Sequence, residues 1–182
     1  MAHVGKLPPI QRFITTHRAD GKAVFSSALP AESTTKALPD NMGFALSYTT
    51  QTFPVAMAAD ADIGLYAAHL EHAPGLSLSR GTVLRHVDFQ PGATCAMHRT
   101  VSLDYGVVLE GEVECVLDSG ETRLLRRGDV CVQRGTMHAW RNPNPTEWCR
   151  MMFVLQPCEP VVIDGKELGE ELGTAVGIRK SD

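Results

Sequence analysis

The sequence predicts an all-β protein: a jelly-roll β-barrel with an N-terminal strand arm and a short C-terminal helix. From Thr82 onward, short apolar or alternating runs follow one another at Thr82–Phe89, Tyr105–Leu109, Val113–Leu117, Thr122–Leu125, Val130–Gln133, His138–Arg141 and Arg150–Leu155. Turn chemistry separates them at Gln90-Pro91-Gly92, Glu110-Gly111, Asp118-Ser119-Gly120 and Arg127-Gly128-Asp129. Many short strands at even spacing, each bounded by turn residues, build a sandwich or barrel. A chain of 182 residues can bury one sizeable core and leaves no room for a second full domain.

Three stretches make up this one structural domain: an arm with the first strands over 1–78, the barrel core over 79–158, and a short helix with a tail over 159–182. In the arm, Arg12–His17 and Lys22–Ser26 flank Ala19-Asp20-Gly21, whose Asp-Gly pair suits a tight hairpin turn. Pro30–Asp40 has the composition of a loop, and Met42–Tyr48 reads as a strand. The apolar residues of Ala61–Leu70 fit neither the helical nor the extended period cleanly, so a short helix and a strand both stay open there. In the tail, Gly165–Leu172 carries helix formers with Leu168 and Leu172 four apart, which predicts the short helix. Phe13, Ile14, Val24 and Phe25 lie in the N-terminal ribbon, outside the minimal barrel, and isolated ribbons are unstable in water. A homodimer that covers the ribbon with a neighbour's sheet edge is expected, and light scattering at micromolar concentration should return a dimeric mass.

Composition narrows the function. A net charge of −4 gives no electrostatic footprint for nucleic acid. No apolar run reaches the length of a membrane helix, and the opening MAHVGKLPPIQRF lacks the apolar core of a secretory signal, so a cytoplasmic protein without a membrane partner is expected. Five cysteines, at 95, 115, 131, 149 and 158, form no C-x-x-C pair and read as structural thiols in a reduced compartment.

The chemistry concentrates in two segments. After Pro91-Gly92, the residues His98, Thr100, Ser102 and Asp104 share parity, so an extended chain projects them from one face. The second segment runs from Gly128-Asp129 through Gly135 to His138 and Asn142. A jelly roll can bring the two together, and two imidazoles with a carboxylate are the ligand set of open zinc, iron or manganese sites. Three readings follow for His98, Asp104 and His138. They hold one divalent metal; or they work without metal as a general acid and base; or they form a polar network in a barrel used for packing or ligand storage. Trp140 shares the parity of His138 and can wall the pocket with Thr100 and Ser102. Tyr105 should point the other way, His86 reads as a surface histidine, and Arg99 and Arg134 as solvent-facing. His69 and His72, three apart, lack carboxylate company.

These segments resemble the cupin superfamily, whose first motif is a Pro-Gly turn, a His-x-His pair, a Glu and a closing Gly, and whose second is Gly-Asp, a Pro-x-Gly turn, His and Asn. Gly92, His98, Gly111, Gly128, Asp129, Gly135, His138 and Asn142 fall at the expected places. Thr100 stands where the second histidine belongs, Asp104 replaces the usual Glu, and Gln133 replaces Pro. The resemblance implies a small single-domain protein with an altered metal-binding motif and a pocket for a small molecule. It implies an enzyme of secondary metabolism that performs a non-oxidative lyase or isomerase step (dehydration, decarboxylation or cyclisation) on an oxygenated, carbonyl-bearing metabolite. The alternatives are an Fe(II)-dependent dioxygenase and a small-ligand-binding protein without turnover.

Overall fold

The computed structural model describes residues 6–39, 41–174 and 177–181. The N-terminal ribbon is β1 (Thr15–His17) against β2 (Ala23–Phe25), and it is followed by β3 (Thr35–Leu38), β4 (Met42–Thr49) and the helix α1 (Ala61–Glu71). Then come β5 (Val83–Phe89), β6 (Ser102–Glu110), β7 (Glu112–Leu117), β8 (Thr122–Arg126), β9 (Val130–Arg134), β10 (His138–Arg141) and β11 (Cys149–Pro157). The chain closes on β12 (Val161–Ile163) and β13 (Lys166–Leu168). A six-stranded sheet in the order β3-β4-β5-β11-β6-β9 faces a three-stranded sheet in the order β10-β7-β8, and the strand pairs are antiparallel. Among the described residues no helix is long and apolar enough to cross a membrane.

Alternation along the strands sets the core. Val83, Val87 and Phe89 of β5, with Met151, Phe153 and Leu155 of β11, meet Val113, Cys115 and Trp140 of the smaller sheet in one buried cluster. Two family-pattern residues hold the frame. Gly111 joins β6 to β7 at φ 72°, and a Cβ there would come within 2.8 Å of the Trp148 carbonyl oxygen, so only glycine fits. Asn142 is buried, and its Nδ2 is shared among the carbonyls of Phe89, Gln90 and Glu147 at 3.2, 3.1 and 2.9 Å, which closes the barrel end with side-chain hydrogen bonds.

The outer face of the six-stranded sheet is covered on the β4 side. Ile63 and Tyr66, three apart on α1, are buried, and the Tyr66 hydroxyl donates to the Leu46 carbonyl at 2.7 Å. That covering contact decides between helix and strand over Ala61–Leu70, which periodicity alone leaves even. Arg150 donates to both Asp88 oxygens at 2.6 Å and to the Pro8 carbonyl at 2.8 Å, so the arm is tied to the sheet by a paired charge. The ribbon itself leaves Phe13 and Phe25 exposed, edge to face at 6.1 Å.

The short C-terminal helix expected over Gly165–Leu172 is not formed. β12 and β13 pair as a hairpin (Val161↔Leu168, Ile163↔Lys166) around Asp164-Gly165, at φ 50° and 74°. Val161-Val162-Ile163 is β-branched throughout, and Asp-Gly supplies the two left-handed positions of a hairpin turn. Against that pairing a single leucine pair at helical spacing, weakened by two glycines, does not prevail.

Candidate functional site

The segment 93–99 runs beside β10 as an irregular extra strand. His98 and His138 face each other across it in an antiparallel bridge, His98 N to His138 O at 2.8 Å and His138 N to His98 O at 2.9 Å. The bridge is made by backbone, so it fixes both imidazoles whatever the rings do. Their centroids lie 4.4 Å apart at 48°. Each Nδ1 is 2.9 Å from the carbonyl two residues earlier, Ala96 for His98 and Thr136 for His138. A carbonyl only accepts, so Nδ1 carries the hydrogen in both rings, and Nε2 is left as the lone-pair nitrogen that can meet what enters the cavity. Burial pushes both imidazoles down from the usual histidine range; for His138, to about 4, the neighbouring His98 adds to the effect. At neutral pH the pair is uncharged, and two acceptors stand side by side.

Asp104 projects inward from β6 and lines the same cavity as His98, Thr100, His138 and Trp140. Its Oδ1 is buried with no hydrogen-bond partner among the described residues. Burial raises its carboxyl to about 6, and the Ser102 and Thr100 hydroxyls oppose that rise. Thr100 and Ser102 hydrogen-bond each other at 2.7 Å. Ser102 is therefore not the cavity-wall residue that its parity suggests: it is fully buried behind Thr100, and its role is to support Thr100 and Asp104. Trp140 packs its edge on His138 at 5.6 Å and on Phe153 at 5.5 Å, which locks the ring that borders the imidazole pair.

The rest of the wall is apolar, with Met42, Phe44, Val87 and Phe89 among its side chains. Leu172 and Ile178 of the tail also reach it. The tail is strapped over the cavity by Arg99, which exchanges backbone hydrogen bonds with Glu171 at 2.7 and 2.9 Å and donates Nε to the Gly169 carbonyl at 2.8 Å. Sequence reasoning missed this use of Arg99, and it missed Arg85, which stands on the cavity wall. Only the parity of Arg85 with Val83, Val87 and Phe89 signals it. Tyr105 points outward and is 41% exposed. His86 does not reach the cavity; its Nδ1 pairs with the Ser47 hydroxyl at 2.6 Å. His69, on α1, meets Thr49 at 2.8 Å. The five cysteines form no disulfide; Gln133 donates to the Cys115 sulfur at 3.0 Å, and Cys95 borders the cavity.

The donor set can be tested against a metal. Two free Nε2 atoms and an unpartnered carboxylate oxygen have the right chemistry, yet among the described residues no three His, Cys, Asp or Glu side chains converge as a metal site requires. The residues present do not fit a three-ligand centre, and no step below passes through one. Thr100→His puts a third imidazole on the wall shared with His98 and Asp104. It should raise zinc content, measured by mass spectrometry on untagged protein, toward one ion per chain. Zinc content unchanged from wild type would show that the wall cannot assemble a centre even with the family residue restored.

Comparison with known proteins places the chain. A family model described as a cupin domain matches residues 85–155. Phomopsin biosynthesis cluster protein C' of Diaporthe leptostromiformis is 50% identical over 162 residues, covering 89% of this chain and 86% of that protein. Oryzines biosynthesis cluster protein J of Aspergillus oryzae is 43% identical over 166 residues, covering 91% and 93%. The cupin-domain-containing oxidoreductase virC of Hypocrea virens is 44% identical over 156 residues, covering 84% and 78%.

Proposed function

The chain belongs to the cupin family, and from that premise we propose that it is an enzyme of a biosynthetic cluster that performs a non-oxidative lyase or isomerase step on an oxygenated, carbonyl-bearing small molecule. The observation that carries this reading is the pairing, in one apolar cavity, of two neutral imidazoles with a carboxyl poised near neutrality. A carboxyl at about 6 is matched to proton transfer at physiological pH. Asp104 takes the acidic proton beside the substrate carbonyl and returns it elsewhere on the same molecule, to carbon, to oxygen or to a departing hydroxyl. The Nε2 atoms of His98 and His138 each accept a hydrogen bond, one from a substrate hydroxyl and the other from a second O–H or N–H of the same molecule, and so orient the carbon that reacts. The apolar walls exclude water and strengthen each of these interactions. The names of relatives at 43–50% identity support a role in a biosynthetic cluster.

A second reading is oxidative, favoured by the name of virC as an oxidoreductase. One experiment separates the two. The gene is deleted in its source organism, the accumulating intermediate is purified, and the full-length protein is incubated with it. A product of equal mass, or lighter by one water or one carbon dioxide, supports proton-transfer chemistry. A product that has gained oxygen or lost two hydrogens assigns the oxidative reading instead.

A further inference from the structure

Arg85 occupies an inward position of β5, opposite Leu46 of β4 and Phe153 of β11 in register, and its side chain lines the cavity. Its Nη2 donates to the Gly75 carbonyl at 3.1 Å, and its guanidinium carbon lies 5.2 Å from the centroid of the Phe44 ring. Nε is buried and has no hydrogen-bond partner among the described residues. No carboxylate of those residues pairs with it. On the outer face of the same sheet the buried Arg150 shows the contrast, for it holds Asp88 through two nitrogens at 2.6 Å. The fold neutralises that arginine and leaves Arg85 without an anion.

Asp104 does not fill the role. A carboxylate beside a guanidinium is held well below its usual range, whereas burial raises the Asp104 carboxyl and only hydroxyls oppose it. Burial pushes the Arg85 guanidinium down to about 10, so it remains a cation at neutral pH. A half-buried charge without a counter-ion is costly and is tolerated where a ligand completes it.

We propose that Arg85 is an anion-binding residue of this cavity and that the small molecule held there carries a carboxylate. This deepens the reading above and rests on it only in taking the cavity as the substrate site. A carboxylate fits better than a phosphate: Arg85 is the one lysine or arginine on the wall among the described residues, and the two histidines there are held neutral. One guanidinium matches one planar monoanion in charge and shape. Arg85 lies on the six-stranded sheet and His138 on the facing sheet, so the carboxylate and the hydroxyl of the substrate sit on opposite walls with an apolar body between them.

The test is isothermal titration of the full chain with 2-naphthoate and with 2-naphthamide, two probes of one shape that differ in charge. Wild type should bind the carboxylate at least about tenfold more tightly. Arg85→Met should bind both alike, and Arg85→Lys should keep part of the preference. Arg85→Met without ligand should melt no lower than wild type, since it removes a half-buried charge that has no counter-ion; a guanidinium kept only for structure would lower the melting temperature on removal. Wild type that fails to bind the carboxylate or does not distinguish the probes overturns the proposal, as does an Arg85→Met protein that still prefers naphthoate. If Arg85→Met does not fold, wild type and Arg85→Lys decide alone, and a preference equal in the two overturns the special fit of the guanidinium. His98→Ala should retain the naphthoate preference, so loss of the proton-transfer reading leaves this result standing, and the reverse.

Discussion

Replacing His138 with alanine is expected to lower turnover of the accumulated intermediate by about 100-fold or more, with His98→Ala close behind, while the barrel stays folded. The expectation follows from what each side chain touches. The His98–His138 bridge is made by backbone atoms and survives loss of either ring. Each ring borders the cavity, so truncation enlarges a space that already exists and removes little core packing. The catalytic loss is larger because the two Nε2 atoms hold two donors of one substrate; with one missing, the remaining ring no longer fixes the reacting carbon next to Asp104. Circular dichroism and melting temperature should stay near wild type as activity falls. Tyr105→Phe is the control, since the phenol points outward and accepts from the Gln156 amide at 3.3 Å; it should be mild. Near-normal turnover in His138→Ala would remove the cluster from the chemistry and favour a ligand-storage barrel.

Much of this architecture was legible because turn residues punctuate it. The runs from Thr82 to Leu155 are bounded by Gly92, Gly111, Gly120 and Gly128, all at positive φ, and the strands lie within a few residues of where those turns put them. His98 and His138 could be named because their motifs carry spacing that survives without a structure. Depth could not be read. Ser102 has the parity of Asp104, but alternation gives direction and not distance from the cavity, and a hydrogen bond to Thr100 places it behind the wall. Arg85 stands in the run Arg85-His86-Val87-Asp88, where charge on both faces hides the inward position; only the register against Phe153 resolves it. The tail fails for another reason. Leu168 and Leu172 have a helical spacing, but long-range contacts decide their fate: Leu168 pairs with Val161 in a hairpin, and Leu172 folds over the cavity beyond the Arg99–Glu171 bridge.

Asp104→Asn should make the protein more stable at neutral pH and much less active. Burial raises the folded-state carboxyl to about 6 from an ordinary value of 3.8, and the side chain is only 5% exposed. Between those two values the folded chain holds the proton more tightly than the unfolded chain, so this group favours folding below about pH 4 and loses that effect as pH rises through about 6. Above that pH wild type keeps a buried carboxylate with one unpartnered oxygen, a penalty on the order of 3 kcal/mol that is already net of the hydroxyls that oppose it. Asparagine has the same shape and no charge, so it escapes the penalty at pH 7 and gains nothing at pH 3.5. For a chain of this length the difference corresponds to a rise in Tm of about 9 °C. His138 acts in the opposite direction: with its imidazole held down at about 4, its contribution is present at neutral pH and is lost as the medium turns acid. It is present in both proteins and cancels when Asp104→Asn is compared with wild type at each pH. Because the amide cannot carry a proton, turnover should fall by about 100-fold or more, and in wild type kcat/KM should rise with pH through about 6 as Asp104 ionises. A side chain kept only for packing would lose stability on substitution or leave it unchanged, with no dependence on pH. A Tm difference between the two proteins that is the same at pH 3.5 and pH 7 would show that the carboxyl is not held at a raised pKa, and the proton carrier would have to be sought in the histidines.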